Sequence, residues 1–320
     1  MSETDAEMIA AETAGMGSEL PAGDAAVPIR EVAQRTGVNP VTLRAWERRY
    51  GLLKPARTGK GHRLYSEDDV RRVEEILAWL ARGVAIGKVR PLLDEGAPAA
   101  VEEDSWSGMV EATTVAVSQF AAPELQRQLE QLLSSYPLPL ILDRWLTPVQ
   151  RRLHRRERFG SSVAQGFFWQ LLTEELAIVL RAGRKNIRQS GRNSRGKLLL
   201  VSFSGGEQQV FARLFCAALI AAGWDAVHLG PDVELGELAF AAEKLGADGV
   251  ICYSHNALPM AVLGSGLERA LRSLNKPLWL AGGIVELQRG DVQRLARHKG
   301  CRVLPAECDP AIRALREQLP

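Results

Sequence analysis

The chain has 320 residues, 46% of them hydrophobic, and a formal net charge of +2. That length accommodates two or three domains, and no apolar run approaches the roughly 20 residues a membrane helix needs. No basic residue precedes Arg30, unlike a signal or transit peptide. Cys216, Cys252, Cys301 and Cys308 form no C-x-x-C pair, which speaks against a zinc site and for reduced thiols in a cytoplasmic protein.

In chain order, residues 1–27 hold six acids and no Lys or Arg and read as a disordered acidic tail. Residues 28–97 hold 14 Lys or Arg against 9 Asp or Glu, which permits a nucleic-acid partner without requiring one. Ile29, Val32 and Ala33 make one apolar face of a short helix, and Thr36-Gly37-Val38 breaks it as a helix-turn-helix turn would. Asn39 is placed to cap a second helix, with Pro40 at its first position. That helix, Pro40 to Arg49, carries Thr42, Arg44, Trp46, Arg48 and Arg49 over a thin apolar side of Val41, Leu43 and Ala45. Alone it is equally a solvated basic helix or one that meets phosphates and base edges. Lys54, Arg57, Lys60, His62, Arg63 and Tyr65 follow among glycines as a basic hairpin wing. Ser66-Glu67-Asp68-Asp69 then caps a helix with Val70, Val73, Leu77 and Leu80 on one stripe. The order is that of a winged helix-turn-helix.

A linker is expected near Gly96–Asp104. Residues 105–182 then read as a helical bundle, with segments Trp106–Gln119, Pro123–Ser134, Leu138–Arg158 and Ser161–Arg181. Residues 183–197, with five Lys or Arg among Asn, Ser and Gly up to Arg195, read as a basic flexible linker. From 198 to 320, short apolar runs alternate with helical spacing: strands at Leu198–Ser204, Ala226–Leu229, Gly249–Ser254, Leu278–Ala281 and Arg302–Leu304, each followed by a helix. Five βα units predict a doubly wound, Rossmann-like parallel sheet.

The runs Ile29-Arg30-Glu31-Val32-Ala33, Thr42-Leu43-Arg44-Ala45-Trp46-Glu47-Arg48-Arg49-Tyr50-Gly51-Leu52 and Gly61-His62-Arg63-Leu64-Tyr65-Ser66 closely resemble the MerR family over about 70 residues. The resemblance implies that the second helix enters the major groove while the wing follows the backbone. It makes Thr42, Arg44, Trp46, Arg48, Arg49, His62, Arg63 and Tyr65 candidates for DNA contact. Lys54, Arg57 and Lys60 would neutralise phosphate, with Leu43 and Tyr50 in the core. It also implies a homodimer on double-stranded promoter DNA beside RNA polymerase.

The variant Arg-Ala-Trp-Glu-Arg-Arg-Tyr-Gly resembles the MerR subgroup that includes CarH and MlrA, in which a helical bundle and a cobalamin-binding domain follow the DNA-binding domain. That subgroup's D-x-H-x-x-G signature, whose histidine binds cobalt, meets Glu207, Gln209 and Ala212 here. An amide is a poor substitute for imidazole at cobalt. The bundle positions that cover the corrin fall on Arg156, Gly166 and Phe167, which also differ. Trp145 and Trp169 then read as bundle core. A remaining ligand pocket would comprise Ser204, Gly205, His255, Gly282 and Gly283, though His255 is also readable as a polar residue at a strand end. The expectation is a non-enzymatic, cobalamin-independent transcription regulator, closer to MlrA and inclined to activation, with no metal site. Its alternatives are a cobalamin- or light-responsive repressor with unusual ligands, and a corrinoid- or nucleotide-dependent enzyme fused to a DNA-binding domain.

Overall fold

The computed structural model describes residues 26–95, 105–155, 159–189, 194–203, 205–231 and 233–319. Residues 1–25 of the expected tail and the linker at 96–104 lie outside the described residues, as do Arg156 and Ser204, whereas Val27, the last residue of the expected tail, is in a strand. The chain forms two compact units, residues 1–102 and 103–320. Among the described residues no helix is long and apolar enough to cross a membrane.

In the first unit, β1 (Val27–Pro28) leads into α1 (Ile29–Thr36) and α2 (Pro40–Arg48). Gly37 ends α1 at φ 76°, a left-handed turn that glycine adopts without steric cost. The Asn39 side chain accepts the Thr42 amide at 2.9 Å and so caps α2 as expected. β2 (Ala56–Arg57) and β3 (Arg63–Tyr65) form the hairpin, and β3 also pairs with β1 in a three-stranded antiparallel sheet of order β1-β3-β2. Ser66 and Asp69 make a reciprocal capping box at the start of α3 (Glu67–Ala81), and α4 (Val89–Glu95) follows.

In the second unit, the bundle comprises α5 (Ser105–Ser118), α6 (Ala122–Ser135), α7 (Leu138–Leu140), α8 (Thr147–His154) and α9 (Ser161–Gln189). Between α7 and α8 the backbone widens into a π-helical turn at Ile141–Leu146. Thr147 bonds back to the Leu142 carbonyl, and Pro148 has no amide hydrogen with which to restore α-helical pairing. Helix α9 does not stop at Arg181. It continues to Gln189, so the segment expected to be a flexible linker is helical over its first seven residues. Gly183, where the linker was expected to start, lies where a Cβ would come within 2.7 Å of the Ile220 side chain. It is a point of close helix approach.

The strands β4 (Lys197–Ser202), β5 (Asp225–His228), β6 (Gly249–Tyr253), β7 (Leu278–Ala281) and β8 (Cys301–Val303) form one parallel sheet of order β5-β4-β6-β7-β8. The helices α10 (Glu207–Ala221), α11 (Leu238–Leu245), α12 (Leu267–Ser273), α13 (Ile284–Leu287), α14 (Arg289–Leu295) and α15 (Cys308–Gln318) alternate with the strands. The order reverses between β4 and β6, the switch point of a doubly wound fold. All of β6 and β7 is buried, as continuous apolar runs require when both faces are covered. The four cysteines are free and buried.

Asp143, in the π turn, accepts the Cys308 amide at 3.0 Å and so caps α15 from across the unit. Burial pushes its carboxyl up to about 7, with Glu307 and Asp309 adding to the shift against the helix amides. Because its folded value lies above the ordinary value of about 4, the native state binds this proton more tightly than the unfolded chain. Its contribution is present at low pH and is lost as pH rises from about 4 through about 7. The stability of Asp143→Asn relative to the parent should therefore grow across that window and level off above it. Urea unfolding at several pH values checks this, and a difference that stays constant with pH would show that Asp143 does not titrate there.

Candidate functional site

Two stripes divide α2. Thr42, Leu43 and Trp46 are buried. Val41, Arg44 and Arg48, spaced three and four residues apart, lie on the other side, with Val41 and Arg48 exposed and Arg44 half-buried. Thr42 and Trp46, expected at the DNA interface, are instead core residues, because a helix that packs on α1 needs an inward stripe and these positions supply it. Tyr65 is likewise buried, at the β3 position paired with Val27. The hydroxyl oxygens of Thr42 and Tyr65 have no partner. Leu43 is in the core as expected, whereas Tyr50 is only half-buried. Arg49, Lys54, Arg57, Lys60 and His62 are exposed.

Glu47 was not expected to matter. Its carboxylate receives Arg57 at 3.0 Å and both Nε and a terminal nitrogen of Arg63. Burial raises this carboxyl, but the two guanidiniums outweigh it and hold it below the usual range. Arg63, expected to contact DNA, is therefore largely committed to a clamp that ties the wing to α2. The signal in the sequence was an acid within an otherwise basic run.

In the second unit, Gln150 of α8 sits at the carboxyl ends of the strands. Its amide nitrogen donates to Glu207 at 2.9 Å, and its oxygen lies 2.9 Å from His255 Nε2. An amide oxygen only accepts, so His255 carries its proton on Nε2. The His255 ring stacks on Phe211 with centroids 3.8 Å apart, and Trp169 of α9 approaches Phe211 at 6.2 Å. Burial, and secondarily Arg151, pushes His255 down to about 4, so it is neutral near pH 7. His154 of α8 also pairs with Glu207, at 2.9 Å.

Among the described residues, this arrangement ties up His255, one of the residues of the expected ligand pocket. A Cβ on Gly282 would lie 2.5 Å from the Ser254 carbonyl, and one on Gly283 would lie 2.1 Å from that of His255. Those glycines admit neighbouring backbone. Gly205 is exposed, and the adjacent helix start carries the Glu207 carboxylate, which opposes an anion there. At the position matched to a cobalt ligand, Gln209 lies 3.5 Å from Arg213. Ala212 is buried, Gly166 is exposed, and Phe167 packs on Phe120 at 5.4 Å. The donor set does not fit cobalamin: the matched side chain is an amide, and the nearby imidazole is hydrogen-bonded and stacked. Trp145 is bundle core, its ring nitrogen donating to Thr113 at 3.1 Å.

A short helix, a turn, a basic helix with a free outer stripe and a clamped hairpin together make the first unit a winged helix-turn-helix domain. It is of the MerR type: the family described as MerR HTH family regulatory protein matches residues 27–96. The HTH-type transcriptional regulator MlrA of Salmonella typhimurium is 33% identical over 157 residues, covering 49% of this chain. The chain spans 63% of MlrA's length in that match. The HTH-type transcriptional repressor CarH of Myxococcus xanthus is 28% identical over 296 residues, 84% of this chain and 93% of CarH. Among solved structures, the Methanosarcina barkeri monomethylamine corrinoid protein aligns to 66% of this chain and 99% of its own, with 14% identity and a TM-score of 0.49.

The clamp is tested by Glu47→Ala. Amide exchange across the wing, residues 57–63, should accelerate about tenfold as local opening becomes easier. Unchanged exchange would mean that the strand pairing alone holds the wing.

Proposed function

We propose that this protein is a sequence-specific, DNA-binding transcriptional regulator that works without cobalamin and without catalytic turnover. The observation that carries the first part is the outer stripe of α2: Val41, Arg44 and Arg48 on one face, flanked by the exposed wing residues Lys54, Lys60 and His62. Arginine recognises guanine edges in the major groove, and an exposed valine suits a thymine methyl. The wing cations would neutralise backbone phosphate and set the salt dependence. The protein would act in the cytoplasm as a homodimer on a two-fold symmetric promoter, beside RNA polymerase, in keeping with the resemblance of its first unit.

What supports cobalamin independence is chemical. Gln209 stands at the ligand position, and the Gln150–His255–Phe211 assembly occupies the strand ends. The specific observation favouring a cobalamin-responsive repressor is the CarH match along nearly its whole length.

Two measurements test the reading. With an operator selected from random duplexes, Arg44→Ala should weaken specific binding by about 1–3 kcal/mol and change binding to unrelated DNA much less. Unchanged discrimination would remove Arg44 from the readout. The protein is also incubated with adenosylcobalamin in the dark, desalted and scanned in the visible. The expected result is no retained corrin absorbance, and stoichiometric retention would favour the cobalamin-responsive reading.

A further inference from the structure

Arg181, Arg184, Lys185 and Arg188 of α9 are spaced three and four residues apart and so share one face of the helix. That face lines a cavity of about 950 Å³. The first two turns of α10 contribute Gln209 and Arg213, and the segment His228–Pro231 after β5 completes the wall. Among the described residues, five cations and no carboxylate line the cavity. None of the five is ion-paired among the described residues.

A solvated basic face accounts for Lys185 and Arg188, which are exposed, and Arg188 also complements the carboxyl end of its helix. It does not account for Arg184 and Arg213. Both are half-buried, come from different helices, and line the same cavity. Like charges one turn apart destabilise a helix by a few tenths of a kcal/mol each, so this clustering opposes folding unless something neutralises it. The field reaches His228: burial first, then Arg213 and Arg184, pushes its imidazole down to about 4. The ring stays neutral and bonded through Nε2 to the Ser202 hydroxyl at 3.0 Å.

We propose that this cavity binds a small molecule carrying adjacent phosphate groups, with Arg184 and Arg213 as the inner phosphate ligands and the exposed cations of α9 at the mouth. Guanidinium matches phosphate oxygens in a bidentate fork. The volume is that of an ordinary small-molecule pocket. Leu180 and Leu229 supply apolar wall for the uncharged remainder. A DNA duplex is the competing occupant, but its backbone would meet the exposed rim and not the inner pair. The site lies wholly within the second unit, away from the residues matched to the helix-turn-helix family, and its existence does not depend on the DNA-binding reading.

The full chain is titrated calorimetrically with inorganic pyrophosphate at low ionic strength. Saturable binding at one site per chain is expected, weakened about tenfold or more by Arg213→Gln and by Arg184→Gln. Arg184 borders the buried Cys216 thiol, so its variant could fail to fold. The double variant Arg181→Gln/Lys185→Gln changes only exposed side chains and should weaken binding severalfold with an unchanged melting temperature. Absence of saturable binding in the parent protein overturns the proposal. So does affinity equal to the parent's in both Arg213→Gln and the double variant, which would mark an adventitious ion only. If the α9 substitutions lower affinity for duplex DNA while pyrophosphate never binds, the cavity is a nucleic-acid surface and the proposal fails.

Discussion

A single side-chain amide, that of Gln150, joins the helical layer of the second unit to the carboxyl ends of its parallel strands. One end of the amide serves Glu207 at the start of α10, and the other serves His255 after β6. Both partners flank the switch point, so the amide bridges the two halves of the doubly wound sheet as well as the two layers. Around it, Trp169, Phe211 and His255 form a continuous aromatic contact. Burying a polar group costs free energy unless its hydrogen bonds are made, and here donor and acceptor are both used. Asp143 plays a related part at the other end of the π turn by capping α15. The bundle is joined to the sheet by the packing of α9 on α10, and these polar groups complete one another across that junction.

In an open α/β sheet the crevice beside the switch point is the usual ligand position. Among the described residues of that region, His255 stacks on Phe211, and the Gly282-Gly283 turn packs against the Ser254 and His255 carbonyls. A cavity lined by cations lies one strand over, between α9, α10 and the loop after β5. Gln209 lies beside Arg213 in that cavity.

In the first unit, an acid organises a basic surface. Glu47 takes up Arg57 and Arg63, which pins the wing to α2 and leaves Arg44, Arg48, Lys54, Lys60 and His62 outside the ion pairs of the clamp. Without the clamp, the lysines and arginines of a short helix and a hairpin would repel one another. With it, two are neutralised internally, and the outward stripe of α2 keeps a defined orientation relative to the wing.

Much of this architecture was legible locally. Asn39 before Pro40, Ser66 three residues before Asp69, and five apolar runs separated by helical spacing are short-range signals, and the elements formed within a few residues of them. Caps and periodicity act over four or fewer residues, so a sequence displays them directly. What it could not display was set by partners far along the chain. Gly183 reads as the start of a flexible linker until Ile220 packs against it. Thr42, Trp46 and Tyr65 read as polar or aromatic contact residues until the packing of α1, α2 and the hairpin turns them inward. The tie between the layers needs Gln150 to meet His255, 105 residues away, and the cationic cavity needs two helices and a strand end that no local pattern brings together. Residue type and spacing determined the elements, while side-chain packing across the fold decided which faces are buried and where space remains.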